Sequence, residues 1–117
     1  MATEIDYARF FDLSHDLLCV SGTDGYFRVV NRAFTRDLGW TASELTSRPF
    51  VDFVHPDDLA ATGTELEGLG GGLPTIVFSN RYRCKDGTWK RLSWTAFLDS
   101  LTGLIYAVAK VSAATPA

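Results

Sequence analysis

Alternating apolar and polar residues are clearest in the last third of the chain, where they predict three β-strands at 75–83, 88–98 and 104–111. Lys85-Asp86-Gly87 separates the first two strands, and Asp-Gly tolerates the positive φ angles of a tight primed hairpin turn. The two-residue period gives the second strand two faces, Leu92, Trp94, Ala96 and Leu98 on one, and Arg91, Ser93, Thr95 and Phe97 on the other.

The first thirty residues predict a helix followed by a hairpin. A helix over 3–14 would begin at Thr3, with Asp6 three residues later in a variant of the capping box. Short apolar runs at 17–20 and 26–30 predict two strands joined by the turn at Thr23, Asp24 and Gly25.

Short helices are predicted between residue 31 and the glycine-rich run 68–72. Asn31 can cap a helix that Gly39 ends, and Thr41 or Ser43 can begin another brief one. His55-Pro56-Asp57-Asp58 begins a longer helix with Leu59, Leu66 and Leu69 near one face. The order of elements predicts an α+β fold, an antiparallel sheet with helices on one side.

Composition indicates one globular domain. The chain has 117 residues, of which 46% are hydrophobic and 21% charged. No apolar run is long enough to span a bilayer, and the N-terminus lacks the basic start of a signal peptide, so we expect a cytoplasmic domain. In that compartment Cys19 and Cys84 are expected to be free, buried thiols.

The charge is unevenly distributed along the chain. Residues 1–67 carry twelve Asp or Glu and five Lys or Arg, a balance of −7, whereas residues 68–117 carry two and six, a balance of +4. An acidic first half argues against nucleic acid as a partner, because it would repel phosphate. The asymmetry favours pairing between the two halves, within one molecule or across a dimer.

Several phrases, taken in order, resemble a PAS domain. They are Leu17-Leu18-Cys19-Val20, Asp24-Gly25-Tyr26-Phe27, Val30-Asn31-Arg32-Ala33-Phe34, Leu38-Gly39-Trp40, Glu44-Leu45, Phe53-Val54-His55-Pro56-Asp57-Asp58, Asn80-Arg81-Tyr82-Arg83-Cys84-Lys85-Asp86-Gly87-Thr88-Trp89 and Leu92-Ser93-Trp94. These motifs are similar to those of modules that pass signals to bacterial sensor histidine kinases and diguanylate cyclases in signal transduction. The resemblance implies a five-stranded antiparallel sheet with short helices on one face, divided as an N-terminal flanking helix at 1–16, the PAS domain at 17–112 and a tail at 113–117.

The resemblance also implies a small internal pocket between the central helices and the inward faces of the last three strands. The candidates carried onto this sequence are Leu59, Leu66, Phe78, Asn80, Trp94, Ala96, Tyr106 and Val108. This choice depends on strand parity, because a shift of one residue exchanges each set for its neighbours. The Asp that often couples the last strand to an output helix is absent after Ala109-Lys110.

Cofactor and catalytic chemistry are not expected. Residues 51–70 contain no Cys for a flavin adduct, and the only candidate haem ligands are His15 and His55, in a loop and at a helix start. Metal-ligand spacing is absent as well. Asp57 and Asp58 would point about 100° apart on a helix, so they do not form a catalytic pair, and the helix dipole accounts for both. An unidentified small molecule stays open as a ligand.

Two further contacts, an ion pair and an interface, are hypotheses. The resemblance suggests an ion pair between Glu44 and Lys85 that joins helices to sheet. The strand face opposite the pocket carries Trp89, Arg91 and Phe97, and we expect another surface to pack against it. The first helix, from the same chain or from a partner, is the candidate, through Tyr7, Phe10 and Phe11.

The sequence therefore predicts a non-catalytic sensory and interaction domain that works as a homodimer. It would pass the state of a ligand or partner to an attached output module, in a two-component or related parent protein. The alternative is a ligand-free dimerisation module whose pocket is filled by Phe78, Trp94 and Tyr106.

Overall fold

The computed structural model describes residues 3–112, except for the side chain of Ile76, so the predicted tail at 113–117 lies outside the described residues. Within them the elements follow the order α1 (Tyr7–Leu13), β1 (Leu17–Gly22), β2 (Phe27–Val30), α2 (Arg32–Leu38), α3 (Ala42–Thr46), α4 (Leu59–Gly70), β3 (Thr75–Arg83), β4 (Trp89–Asp99) and β5 (Leu104–Val111). Two short 3₁₀ helices, Phe50–Phe53 and Pro56–Asp58, lead into α4.

The strands form one antiparallel sheet in the order β2-β1-β5-β4-β3. The last strand therefore lies in the middle and joins the N-terminal hairpin to the C-terminal strands. The predicted α+β class and five-stranded sheet are confirmed. The bounds of β3 and β5 agree with those predicted from the sequence, while β1 extends two residues further, and β2 and β4 each begin one residue later.

The turn between β3 and β4 is not of the primed type that the sequence suggested. The amide of Gly87 donates to the carbonyl of Cys84 at 3.0 Å, and the amide of Cys84 donates to the carbonyl of Thr88 at 2.7 Å. Within this turn only Gly87 has a positive φ, +91°, whereas a type I′ turn needs two residues with positive φ. The connection is instead a four-residue turn with a left-handed glycine in its last position.

The first helix is shorter than predicted. It begins at Tyr7, and the side chain of Asp6, rather than Thr3, accepts the capping hydrogen bond from the amide of Arg9 at 3.0 Å. A carboxylate one residue before the helix satisfies an amide that would otherwise have no partner. The predicted capping box at Thr3 is therefore wrong.

Asn31 precedes α2 as predicted, but its side chain does not cap that helix. Its Oδ1 accepts from the amide of Leu18 at 3.0 Å, and its Nδ2 donates to the carbonyls of Phe11 and Asp16 at 3.0 and 2.9 Å. The side chain is almost fully buried. Asn31 therefore fixes the segment between α1 and β1 against the start of α2.

The other predicted helix signals act locally as expected. Gly39 ends α2 in the left-handed conformation, with φ +86°. Thr41 and Glu44 form a complete capping box at α3. The Nδ1 of His55 accepts from the amide of Asp57 at 3.0 Å at the helix start containing Pro56.

The core lies between one face of the sheet and helices α2, α3 and α4. Its most deeply buried side chains include Leu17, Phe34, Leu45, Phe53 and Leu92. Burying these apolar surfaces is the main favourable contribution to folding.

Candidate functional site

A small cavity of about 70 Å³ lies between the inner face of the sheet and α4. Five of the residues predicted to line a pocket do so: Leu66, Phe78, Asn80, Trp94 and Ala96. The rest of its wall consists of Cys19, Ser21, Phe27, Phe50, Thr62, Glu65, Leu69, Thr75, Tyr82, Ile105 and Ala107. The wall is mainly apolar and aromatic, with a few polar groups from β1, α4 and β3.

The predicted parity of β5 is wrong. Ile105 and Ala107 face the cavity, whereas Tyr106 and Val108 lie on the opposite face and are 46% and 38% exposed. From Leu104 to Ala109 both sets of alternate residues are apolar, so the period of two does not separate them there; Lys110, near the end of the strand, is the one polar signal on the face of Tyr106 and Val108. The pairing of β5 between β1 and β4 decides the matter.

The predicted face of α4 is only partly correct. Leu59 is 42% exposed and does not line the cavity, because it begins the helix. The stripe that faces the cavity starts one turn later, at Thr62, and continues through Glu65, Leu66 and Leu69. This is the helical spacing i, i+3, i+4, i+7, which the sequence carries but which the polar Thr62 and Glu65 conceal.

A chain of hydrogen bonds connects the cavity wall to the start of α4. The indole Nε1 of Trp94 donates to Asn80 Oδ1 at 2.7 Å, and Asn80 Nδ2 donates to Thr62 Oγ1 at 3.2 Å. Thr62 Oγ1 in turn donates to the carbonyl of Asp58 at 2.8 Å. Among the described residues every fully buried side-chain nitrogen and oxygen has a partner.

Asp58 also forms the best-defined ion pair between helix and sheet. Its carboxylate accepts from Arg81 Nε at 3.0 Å, from Arg81 Nη2 at 2.9 Å and from the Arg81 amide at 2.7 Å. These bonds from Arg81 lower the pKa of Asp58 to about 2. The helix dipole alone therefore does not account for Asp58, in contrast to the sequence-based interpretation.

Both cysteines are free and buried, as predicted. Cys19 lines the cavity, and burial raises the pKa of its thiol far above the usual range, so it stays protonated at neutral pH. Cys84 lies beside the turn, with its Sγ 3.9 Å from the carbonyl of Asp37.

The histidines lie outside the cavity wall. His15 is exposed and lies beside Arg36, while the ring of His55 packs against Trp89 with centroids 4.5 Å apart. In the part of the chain that the structure describes, no three His, Cys, Asp or Glu side chains are grouped as they would be to hold a metal ion.

Glu44 and Lys85 are in contact as hypothesised. Lys85 Nζ lies 2.9 and 2.8 Å from the two carboxylate oxygens and joins α3 to the turn between β3 and β4. Hydrogen bonds from Lys85 and from the Thr41 amide lower the pKa of Glu44 to about 2. Together with Asp58–Arg81, this pair links the acidic first half to the basic second half within one molecule.

The sheet face opposite the cavity carries an apolar surface that we call the outer patch. It consists of Leu18, Val20, Phe97, Tyr106 and Val108. Phe97 is paired with Tyr106 in the β4–β5 register and is 58% exposed. The outer patch is therefore largely uncovered by the described residues.

The predicted interface residues do not all lie on one surface. Tyr7 and Phe10 of α1 are 73% and 74% exposed, whereas Phe11 is half-buried and borders the outer patch. Trp89 and Arg91 are on the same face as Phe97, but Trp89 lies roughly 27 Å along β4 from Phe97 and packs on His55. Trp89 therefore does not belong to the outer patch.

These features define a class of protein, a small α+β module whose antiparallel sheet encloses a cavity beneath short helices. A family model described as PAS fold matches residues 27–103, which is more than half of the chain. The chain belongs to the PAS family, and the resemblance seen in the sequence is confirmed. PAS domains are generally sensory, non-catalytic modules.

Solved structures with similar folds cover most of this chain. A domain of the sensory box sensor histidine kinase/response regulator from Geobacter sulfurreducens has a TM-score of 0.78 at 20% identity, over 89% of this chain and 90% of that one. The PAS domain of an HTR-like protein from Haloarcula marismortui gives 0.77 at 24% identity, over 91% and 94%.

A more distant fold match has slightly higher sequence identity. The PAS-B domain of Drosophila melanogaster Cycle with bound ethylene glycol gives a TM-score of 0.65 at 25% identity, over 82% of this chain and 97% of that one. No curated protein matches the chain. None of the helices within residues 3–112 is long and apolar enough to cross a membrane.

Proposed function

We propose that the chain is a non-catalytic sensory and interaction domain that passes the state of a ligand or partner to an output module through homodimer packing. The observation that carries the proposal is the exposure, in one molecule, of the outer patch and of the apolar side chains of α1. Uncovered apolar surface of this kind is typical of a site of protein contact.

A second copy of the chain is the occupant that fits the outer patch. Helix α1 exposes Tyr7, Phe10 and Leu13, each at least 70% accessible, and Phe11 places this helix at the border of the outer patch. Each molecule therefore offers both an apolar helix and an apolar sheet face. A two-fold dimer can bury both at once, because the same surfaces are available on each subunit.

The sheet itself connects the cavity to this interface. Ala96 faces the cavity and Phe97 faces outward, and Ile105 and Tyr106 are related in the same way on β5. A change in packing on the inner face therefore shifts the strands that carry the outer patch. A ligand or partner that favours one packing would shift the population of dimer arrangements.

The test is the replacement Phe97→Asp, measured by multi-angle light scattering at tens of micromolar. The wild type is expected to be a dimer and the variant a monomer with an unchanged circular dichroism spectrum, because a carboxylate in the buried interface has no partner. Leu101→Asp is the matched control, since Leu101 is 95% exposed in the turn after β4. A monomeric wild type, or equal effects of the two variants, would contradict the proposal.

The small size of the cavity favours a second candidate, a ligand-free dimerisation module. Its volume of about 70 Å³ is far below the roughly 300 Å³ at which pockets for drug-sized ligands begin. Trp94, Asn80 and Thr62 already satisfy one another there. Native mass spectrometry with an absorption spectrum distinguishes the two candidates, because a bound mass or visible absorbance supports sensing and a clean apo mass supports dimerisation alone.

The parent protein is proposed to be a cytoplasmic signalling protein such as a sensor histidine kinase or diguanylate cyclase. Similarity to a domain of a sensor histidine kinase/response regulator supports this assignment. We expect neither flavin adduct chemistry nor haem, because the thiol at the cavity, Cys19, is buried with a raised pKa and neither His15 nor His55 lines the wall.

A further inference from the structure

Glu65 brings a carboxylate to the wall of a cavity that is otherwise lined by apolar, aromatic and neutral polar side chains. The residue is half-buried, and its Oε2 accepts from Thr75 Oγ1 at 3.1 Å. No ion-pair partner for it is found among the described residues, and the described cavity wall contains no Lys, Arg or His. A carboxylate in a largely apolar wall, with no cation of the described residues beside it, offers a counter-ion to a positively charged ligand.

The other ionisable groups in the wall do not supply that charge. Burial raises the pKa of both Cys19 and Tyr82, so both are neutral at physiological pH. The polar side chains of Asn80, Thr62 and Trp94 bond to one another. Among the described wall residues Glu65 is therefore the one carboxylate open to a ligand, and the hydroxyls of Ser21 and Thr75 are neutral polar groups in the same wall.

Aromatic side chains form much of the remaining wall. Phe27 and Phe50 lie with ring centroids 5.4 Å apart, and Tyr82 and Trp94 with centroids 5.5 Å apart. Aromatic faces attract cations through the ring quadrupole, most strongly in a desolvated site. The carboxylate and the rings therefore favour the same kind of ligand.

The cavity size limits that ligand to a very small molecule. A volume of about 70 Å³ corresponds to roughly two water molecules of the liquid. An adjoining space of about 240 Å³ shares Phe50, Leu66, Leu69 and Ile105 with it and is bordered by the β1–β2 turn and the end of α4.

We propose that the cavity binds a small organic ammonium cation, with Glu65 as its counter-ion and the aromatic wall around its alkyl part. The inference rests on the proposed sensory function and names the class of ligand. A ligand of three heavy atoms binds at best with a Kd of about 0.5 mM. Binding is therefore to be measured by titration in the millimolar range.

The experiment titrates ethylammonium chloride into the protein and follows the indole N–H of Trp94 by nuclear magnetic resonance, because that group donates to Asn80 at the cavity wall. Ethylene glycol serves as the neutral probe of similar size, and sodium chloride controls for ionic strength. Ethylammonium is expected to give a saturable shift, with an affinity at least about tenfold higher than that of ethylene glycol.

The matched variants are Glu65→Gln and Glu67→Gln, which remove the same charge from the same helix, since Glu67 is exposed. Glu65→Gln is expected to weaken ethylammonium binding roughly tenfold to a hundredfold, and Glu67→Gln to leave it within about twofold. Equal binding of the neutral probe, absence of a saturable shift in the wild type, or equal effects of the two variants would overturn the inference.

The wild-type comparison of the two probes needs no variant, so the test stands if Glu65→Gln does not fold. Failure of this inference is also distinguishable from failure of the proposed function. If Phe97→Asp dissociates the dimer while ethylammonium does not bind, the ammonium site is excluded and the interaction module is retained. If the wild type is monomeric, the proposed function fails whatever the probes show.

Discussion

Replacing Asp58 by Asn removes the charge that joins the start of α4 to β3. The carboxylate accepts three hydrogen bonds from Arg81, and its side chain is 17% exposed, against 31% for Arg81. An ion pair in this setting is screened much less by water than one on the open surface. We expect a substantial loss of stability at neutral pH, with no change of fold.

The magnitude follows from the pKa of Asp58, which falls from the usual 3.8 to about 2 in the folded protein. Because the folded pKa is the lower one, the ionised pair stabilises the folded state above pH 3.8 and loses that contribution as the pH falls through about 2. The difference between the two pKa values corresponds to about 2 kcal/mol of unfolding free energy at pH 7.

The assay is urea unfolding of wild type and Asp58→Asn, followed by circular dichroism between pH 7 and pH 3. The difference in unfolding free energy should be about 2 kcal/mol at pH 7 and about half of that near pH 3. Asp57→Asn is the matched control, because Asp57 lies in the same helical turn, is 78% exposed and is not bonded to Arg81. Equal losses for the two variants, or a loss for Asp58→Asn that does not change with pH, would refute the reasoning.

Two further perturbations test the fold. Asn31→Ala leaves three backbone groups without their buried hydrogen-bond partner. We expect it to lower the unfolding free energy, measured by urea unfolding, by about 3 kcal/mol. A loss below about 1 kcal/mol would mean that water replaces the side chain as the partner. Gly39→Ala and Gly25→Ala each place alanine at φ +86°, a cost of about 1–2 kcal/mol, but only the added Cβ at position 39 meets another side chain, Lys85 Cβ at 3.3 Å. Thermal melts should therefore show a larger decrease in melting temperature for Gly39→Ala than for Gly25→Ala, and equal decreases would contradict the crowding at Lys85.

Local signals in the sequence were sufficient to predict the structure wherever a residue's role depends on residues close to it in the chain. The bounds of β3 and β5, the left-handed Gly39 and the cap at His55 were all predictable, because each depends on periodicity or on a bond within a few residues. The Glu44–Lys85 contact joins residues 41 positions apart in the sequence, and it was predicted from the resemblance to relatives.

The candidate site was only partly predictable, because burial of one strand face depends on its neighbours. On β4 the polar Arg91, Ser93 and Thr95 distinguish the outer face, and the prediction for Trp94 and Ala96 agrees with the structure. On β5 both faces are apolar up to Ala109, and Lys110 alone marks the outer face, so Tyr106 was assigned to the cavity although it lies outside.

Polar residues of the cavity were missed for a related reason. Thr62 and Glu65 read as solvent-facing positions of α4, and no local signal pairs them with Asn80 or Thr75 on β3. Their partners are ten or more residues away, and the contacts exist only once α4 packs across the sheet.

The sequence by itself determined the family, the order of the elements and the antiparallel class of the sheet, because motifs, periodicity and turn residues act along the chain. The tertiary structure alone decided which face of β5 lines the cavity, that Asp58 bonds to Arg81, that the two halves pair within one molecule, and that Glu65 lines the same cavity as several aromatic side chains. Those facts depend on register and packing between segments far apart in sequence, where a shift of one residue exchanges inside for outside.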